Sequence, residues 1–85
     1  MSSPEPGLEA MRSLVAFLAR SLVDNPDAVE VREVVRDDAV VLELKVDPAD
    51  VGKVIGRQGR VVRAIRTVAR AAGARGGRRV EVDVV

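Results

Sequence analysis

Two glycines three positions apart, Gly56 and Gly59, constrain the fold of this chain most, because they interrupt a helical pattern. Apolar residues lie before and after them at helical spacing, which predicts a short helix, a sharp loop and a second helix. Glycine adopts backbone angles that other residues avoid and lets a second backbone come close. Arg57, Arg60 and the amides that open the second helix add positive charge there. The loop therefore suits a phosphate backbone.

The charge of the chain changes sign close to this motif. Residues 1–50 carry five basic and eleven acidic side chains, a net charge of −6, whereas residues 51–85 carry nine basic and two acidic ones, a net charge of +7. The formal charge of the whole chain, +1, hides this division. The basic second half is therefore the candidate surface for an anionic partner.

Composition excludes several functions. The chain has neither Cys nor His, which removes disulfides, thiolate chemistry, imidazole bases and most zinc sites. No nucleophile is paired with a base, so we predict no enzyme, no catalytic residue, no metal site and no cofactor. The single aromatic residue, Phe17, is predicted to lie in the core. Nucleic-acid contacts would then be aliphatic and ionic rather than stacked.

The chain is predicted to form one domain, because 85 residues give room for a single core. Residues 1–7, rich in Ser, Pro and Gly, are predicted to be a disordered N-terminal tail, and residues 8–85 the domain. The N-terminus lacks the pattern of a signal peptide and no apolar run approaches the length of a membrane span. We expect a cytoplasmic protein without membrane attachment.

The first half predicts an amphipathic helix and a β-hairpin. The helix runs from Leu8 to near Asp24 and ends there because the next residue precedes Pro26. Two β-branched runs, residues 29–36 and 39–46, are separated by two aspartates and predict antiparallel strands. The apolar phase breaks within the first run, which indicates a bulge or an edge position. The helical face that would enter the core consists of Met11, Leu14, Val15, Leu18 and Leu22.

The second half predicts two helices and a closing strand. Asp47 can cap free amides and proline follows it, so a short helix is expected from there through about Ile55. A second helix is predicted over about 60–72, ended by Gly73. Alternating valines over 80–84 predict a third strand with one buried face.

This order of elements, with GxxG between consecutive helices, resembles the type II KH domain, a binder of single-stranded nucleic acid whose loop clamps about four nucleotides. The stretches LVAFLARSLVDNPDAVEVREV and VDPADVGKVIGRQGRVVRAIRTVARAAGA resemble the KhpA family of small bacterial KH proteins. The resemblance covers residues 8–85. It implies an α+β fold of order αββααβ, in which a three-stranded sheet packs against three helices.

The resemblance also implies a function, that of a single-stranded RNA-binding protein acting as an RNA chaperone. It implies a homodimer, or a heterodimer with a second KH protein of the Jag or KhpB type, and a role in cell elongation and wall homeostasis. The backbone clamp would be formed by Gly56, Arg57, Gln58 and Gly59, with Arg60, Lys53 and Arg63 nearby. The apolar groove for the bases would include Ile55 and Val62, together with Val51, Val54 and Leu42 or Leu44.

The residues themselves leave alternatives open. A protein-interaction module that uses an exposed edge strand is a second hypothesis, although such a module has no need for Arg57 between two glycines. Lys53 is equally well explained as a solvated side chain. Base preference and the choice between RNA and single-stranded DNA stay undetermined. Arginines that extend the basic surface or are simply solvated are Arg66, Arg70, Arg75, Arg78 and Arg79.

Overall fold

The computed structural model describes residues 6–85. Of the predicted tail, residues 1–5 lie outside the described residues, and the first helix already begins at Pro6. The helices are α1 (Pro6–Leu22), α2 (Val51–Ile55) and α3 (Arg60–Arg75), and the strands are β1 (Glu30–Arg36), β2 (Ala39–Lys45) and β3 (Arg79–Val84). This order is the predicted αββααβ.

The three strands form one mixed sheet in the order β1-β2-β3. β1 and β2 pair antiparallel around a turn in which Asp37 takes a left-handed φ of 53°. Their register is continuous, so β1 is an edge strand without the bulge that was the other expectation. β3 pairs parallel with β2, opposing Leu42 with Val82. The predicted α+β fold is confirmed.

The helices cover the sheet face that carries the alternate apolar residues of β2 and β3. One cluster joins α1 and α3 to the sheet through Met11, Val15, Val40, Leu42, Ile65, Ala69, Val80 and Val82. A second cluster joins the end of α1 and the short α2 through Ala19, Val29, Leu44, Val46 and Val54. Since both flanks of the glycine loop contribute to these clusters, the loop is mounted on a packed core.

The prediction that Phe17 lies in the core is wrong, since 64% of this residue is exposed. The buried face of α1 is set by Met11, Val15 and Ala19, which follow one another every four residues. Phe17 falls midway between two of these positions and points to the opposite side of the helix. Ala16 and Ala19, on either side of the aromatic ring in the chain, are buried instead.

Helix α3 continues past Gly73, where the sequence predicted its end. Gly73 is buried, and a Cβ added to it would lie 2.6 Å from Val80 Cγ2. The glycine therefore serves close packing of α3 on β3 rather than helix termination. The helix ends two residues later, and the turn that follows contains Gly77 with a φ of 73°.

Candidate nucleic-acid interface

The loop between α2 and α3 has a left-handed backbone at three of its four residues. Gly56 has φ 77° and ψ 170°, and Gly59 has φ 74°. Gln58, which is not a glycine, has φ 58°. The loop closes on itself through a hydrogen bond of 3.0 Å from the Gly59 amide to the Gly56 carbonyl. Left-handed residues that are not glycine are uncommon, and strain of this kind is often found where a protein clamps a ligand.

The two glycines are required for different reasons. A Cβ on Gly56 would lie 2.3 Å from Val61 Cγ2 and 2.8 Å from the Val61 amide nitrogen, so the loop is pressed against the first turn of α3. Beside Gly59 the corresponding space is open, with nothing within 4 Å. Gly56 fixes the loop to the helix, whereas Gly59 leaves its own backbone accessible to another chain.

Three arginines surround Gln58. Arg63 Nη2 donates to the Gln58 carbonyl at 2.7 Å, and Arg60 Nη2 donates to the Gln58 side-chain oxygen at 3.3 Å. Arg57 is the exposed first residue between the glycines. Within residues 6–85 none of the three forms an ion pair with a carboxylate. The loop therefore carries positive charge that its described surroundings do not neutralise.

Lys53 is tied to carboxylates on the other flank of the loop. Its Nζ lies 3.3 Å from Asp24 Oδ2 and 3.6 Å from Asp50 Oδ1. The pKa of Lys53 is raised, chiefly because the ammonium donates to Asp24. The structure thus pairs this predicted site residue with one carboxylate just after α1 and one just before α2.

Asp50 fastens the start of α2 to the end of α1. The residue is 1% exposed and accepts hydrogen bonds from the Asp24 amide, the Asn25 amide and Asn25 Nδ2, at 3.3, 3.0 and 3.1 Å. Burial tends to raise the pKa of its carboxyl, but these bonds and the charge of Lys53 outweigh burial and hold the pKa below its ordinary value. Asp47 caps this turn as predicted, accepting from the Ala49 amide at 2.9 Å.

The apolar residues expected to line a groove for bases are largely interior. Leu42, Leu44 and Val54 are 0% exposed and Val62 is 5% exposed. Ile55 and Val51 are half-buried. The structure therefore places Val54 and the β2 leucines in the core clusters and leaves Ile55 and Val51 as the more accessible members of the predicted groove.

From Arg66 onward α3 directs arginines to β3, which the sequence did not reveal. Arg66 Nε donates to the Val82 carbonyl at 3.0 Å, and Arg70 Nη2 lies 3.3 Å from Glu81 Oε1. Their helical spacing was the available signal, but a solvated face gives the same spacing. Sequence reasoning treated both as general surface charge.

Over residues 6–85 no group of three acidic, His or Cys side chains is placed to hold a metal ion. In the same range no helix has the length and apolar character that crossing a membrane requires.

The mixed sheet, the helices on one face and the glycine loop between α2 and α3 define a KH domain. The family model for the KH domain of KhpA and KhpB matches residues 12–84, and the chain belongs to this family. This is a KH-domain family and not an enzyme family, which confirms the prediction that the chain is not an enzyme.

Two curated relatives show the extent of the similarity. The chain is 49% identical to a Clostridium perfringens protein named RNA-binding protein KhpA, over 88% of this chain and 100% of the relative. It is 53% identical to a Streptomyces coelicolor protein of the same name, over 88% of this chain and 91% of the relative.

Among solved structures, the Era protein of Aquifex aeolicus, crystallised with GDP and aluminium fluoride, has a similar fold. The TM-score is 0.64 at 21% sequence identity, and the match covers 99% of this chain but 31% of the Era chain. This similarity concerns the fold alone.

Proposed function

We propose that this protein binds single-stranded RNA and that the sugar-phosphate backbone is held at residues 56–59. One observation carries the proposal: a loop with left-handed glycines, open beside Gly59, is surrounded by three arginines that have no carboxylate partner among the described residues. The names of the curated relatives support the same ligand.

The contacts follow from the geometry of the loop. Phosphates approach the accessible backbone at Gly59 and are held by the side chains of Arg57 and Gln58. Arg60 and Arg63 add charge from the first turns of α3, where the helix dipole also favours an anion. Ile55, half-buried before the loop, gives a base an aliphatic contact, and Lys53 adds potential from its position between carboxylates.

Such a site binds weakly and without strong base preference. A KH loop clamps about four nucleotides, and without aromatic stacking at the loop most of the affinity is ionic and falls steeply with salt. Weak, sequence-tolerant binding with fast release is what an RNA chaperone in the cytoplasm needs. Higher affinity comes from joining two sites in one complex.

We also propose that the chain associates with a second KH domain, either another copy or a partner of the Jag or KhpB type. The exposed Phe17, the 42% exposed Val68 and the open edge of β1 support this association. In such a complex the protein would act in RNA regulation, cell elongation and wall homeostasis. Light scattering tests the homodimer. Wild type should have twice the monomer mass and Phe17→Ser the monomer mass. A Phe17→Ser variant that keeps the dimer mass would exclude Phe17 from the homodimer interface.

The test of RNA binding is fluorescence anisotropy with labelled single-stranded RNA, at about 50 and about 200 mM salt. The loop variant Arg57→Asp/Gln58→Asp should lose binding while its circular dichroism stays that of the wild type. The matched control is Arg20→Asp/Ser21→Asp, which makes the same change in charge at two exposed positions of α1. Control protein that binds as wild type, beside a loop variant that does not, supports the site.

Two results would contradict the proposal. If the loop variant binds as well as the wild type, the RNA site lies elsewhere. If the control loses as much affinity as the loop variant, overall charge rather than the loop determines binding. A single-stranded DNA of the same sequence, measured in parallel, shows whether the 2′-hydroxyl contributes.

A further inference from the structure

One face of α3 connects the loop to the far end of the domain. Arg63, Arg66 and Arg70 are spaced i, i+3 and i+7 and so lie along one side of the helix. Their contacts follow in order: Arg63 touches the loop at Gln58, Arg66 touches β3 at Val82, and Arg70 touches β3 at Glu81. The row of arginines that begins at the loop therefore extends along the edge formed by α3 and β3.

A basic cleft lies at the end of this edge. It has a volume of about 270 Å³ and is lined by Arg70, Ala74, Arg78, Arg79, Val80 and Glu81. Glu81, the one acidic residue of this lining, pairs with Arg70 at 3.3 Å and with Arg79 at 3.8 Å. Two guanidinium groups thus share one carboxylate, while the Arg70 and Arg79 side chains are 59% and 75% exposed. The cleft keeps positive charge facing solvent.

The opposite direction from the loop is acidic. Beyond α2 lie Asp24, with its side chain 77% exposed, the exposed Asp27 and the half-buried Asp47. The one basic side chain on α2, Lys53, is already paired with Asp24 and Asp50. A nucleic-acid strand that leaves the loop is therefore repelled by the acidic residues on the α2 side and attracted by the basic residues along α3.

We propose that an RNA strand held at the loop continues along α3 and places further phosphates in the cleft, against Arg70 and Arg79. This rests on the proposed function, and it extends the site from one loop to a track along the whole helix. Ten residues of helix separate Arg60 from Arg70, a distance of about 15 Å. RNA of about four nucleotides occupies the loop only, whereas a longer strand also reaches the cleft.

The experiment compares RNA of about four and about ten nucleotides and measures how affinity depends on salt. For single strands the logarithm of affinity falls with a slope of about −0.7 per phosphate contact. Arg70→Gln/Arg79→Gln should make the slope for the longer RNA shallower by about 1.4 and leave the slope for the shorter RNA unchanged. The matched control, Arg20→Gln/Arg32→Gln, removes the same charge from exposed positions of α1 and β1 and should change neither slope.

A second variant acts in the opposite direction and keeps both arginines. Glu81→Gln removes the carboxylate that Arg70 and Arg79 share, and should raise affinity for the longer RNA without affecting the shorter one. This variant still tests whether the longer RNA reaches the cleft if Arg70→Gln/Arg79→Gln fails to fold. Urea unfolding of each variant shows whether it folds.

The proposal is overturned if the cleft variant weakens both RNAs equally, if the control has the same effect, or if Glu81→Gln leaves the longer RNA unaffected. Failure of the proposed function looks different, because the loop variant Arg57→Asp/Gln58→Asp would then still bind the short RNA.

Discussion

Helix α3 carries arginines on both sides of residue 65, and the two groups are used in different ways. Before residue 65 the side chains of Arg60 and Arg63 donate to Gln58 of the loop and form no ion pair with a carboxylate among the described residues. After residue 65 Arg66 donates to the Val82 carbonyl and Arg70 pairs with Glu81. The first group leaves charge available to a ligand, whereas the second uses it first to hold β3.

A glycine also lies at a tight contact near each group of arginines. Gly56 lies against Val61 at the start of α3, and Gly73 lies against Val80 near its end. At both places a side chain would collide with a valine. A glycine and an arginine near each other in a helical sequence therefore do not by themselves indicate a binding site. The same two residue types also hold β3 against α3.

The largest expected effect is that of Gly56→Ala. The new Cβ would meet three atoms of Val61 within 2.8 Å, one of them backbone, at a φ of 77° that disfavours alanine. Overpacking and backbone strain together should lower the free energy of unfolding by about 3 kcal/mol, measured by urea denaturation. Gly52→Ala is the control, because nothing lies within 4 Å of that position, and it should not destabilise. Unchanged stability of Gly56→Ala would mean that the loop is not pressed against α3.

Gly73→Ala should have a smaller effect on stability. The Cβ would lie 2.6 Å from Val80 Cγ2, the end of a side chain, and 3.0 Å from the Arg78 carbonyl, so the neighbours can partly give way. We expect a loss of about 1–3 kcal/mol in urea denaturation. Affinity for a short RNA at the loop should not change in the folded variant. A loss of that affinity would show that the two ends of α3 are coupled.

Arg66→Gln and Arg63→Gln test the difference between the two groups of arginines on α3 directly. Arg66→Gln removes a partly buried hydrogen bond and should cost about 1 kcal/mol of stability. Arg63→Gln removes an exposed contact and should change stability by less than about 0.5 kcal/mol, while the salt slope of RNA binding becomes shallower by about 0.7. Urea denaturation and anisotropy of the same two variants test both statements. Equal stability losses would show that the two groups of arginines do not differ in their contribution to stability.

The smallest expected effect concerns pH and the α2 flank of the loop. The pKa of Asp50 is held below its ordinary value of 3.8, so its charged interactions stabilise the fold fully above that pH and are lost as pH falls through the folded-state value. The difference in urea midpoint between wild type and Asp50→Asn should therefore shrink from about pH 7 to about pH 2. A difference that stays constant over this range would show that the charge of Asp50 does not anchor α2.

Much of the fold was predictable because the signals are local. The hairpin at the two aspartates, the cap at Asp47 and the interruption of the helix at Gly56 each depend on residues a few positions apart. The ends of α1 and α3 were displaced by a few residues, because helix ends respond to packing as well as to the local sequence.

The candidate site was predictable in part for the same reason. The four loop residues and Arg60 and Arg63 lie together because they are neighbours in the chain. Lys53 and Val62 were assigned to the surface of the site, but the structure gives Lys53 two carboxylate partners and buries Val62. Neither outcome is visible in the residues next to them.

By itself the sequence determined the order of elements, the glycine loop and the concentration of positive charge after residue 50, since these follow from backbone preferences, side-chain period and composition. Only the tertiary structure decided which charged side chains have a hydrogen-bond or ion-pair partner within the protein. The backbone amides that donate to Asp50 lie 26 and 25 positions before it in the chain, and the carbonyl that accepts from Arg66 lies 16 positions after it. Those partners are chosen when the core packs, because packing fixes which distant backbone groups come within hydrogen-bond distance.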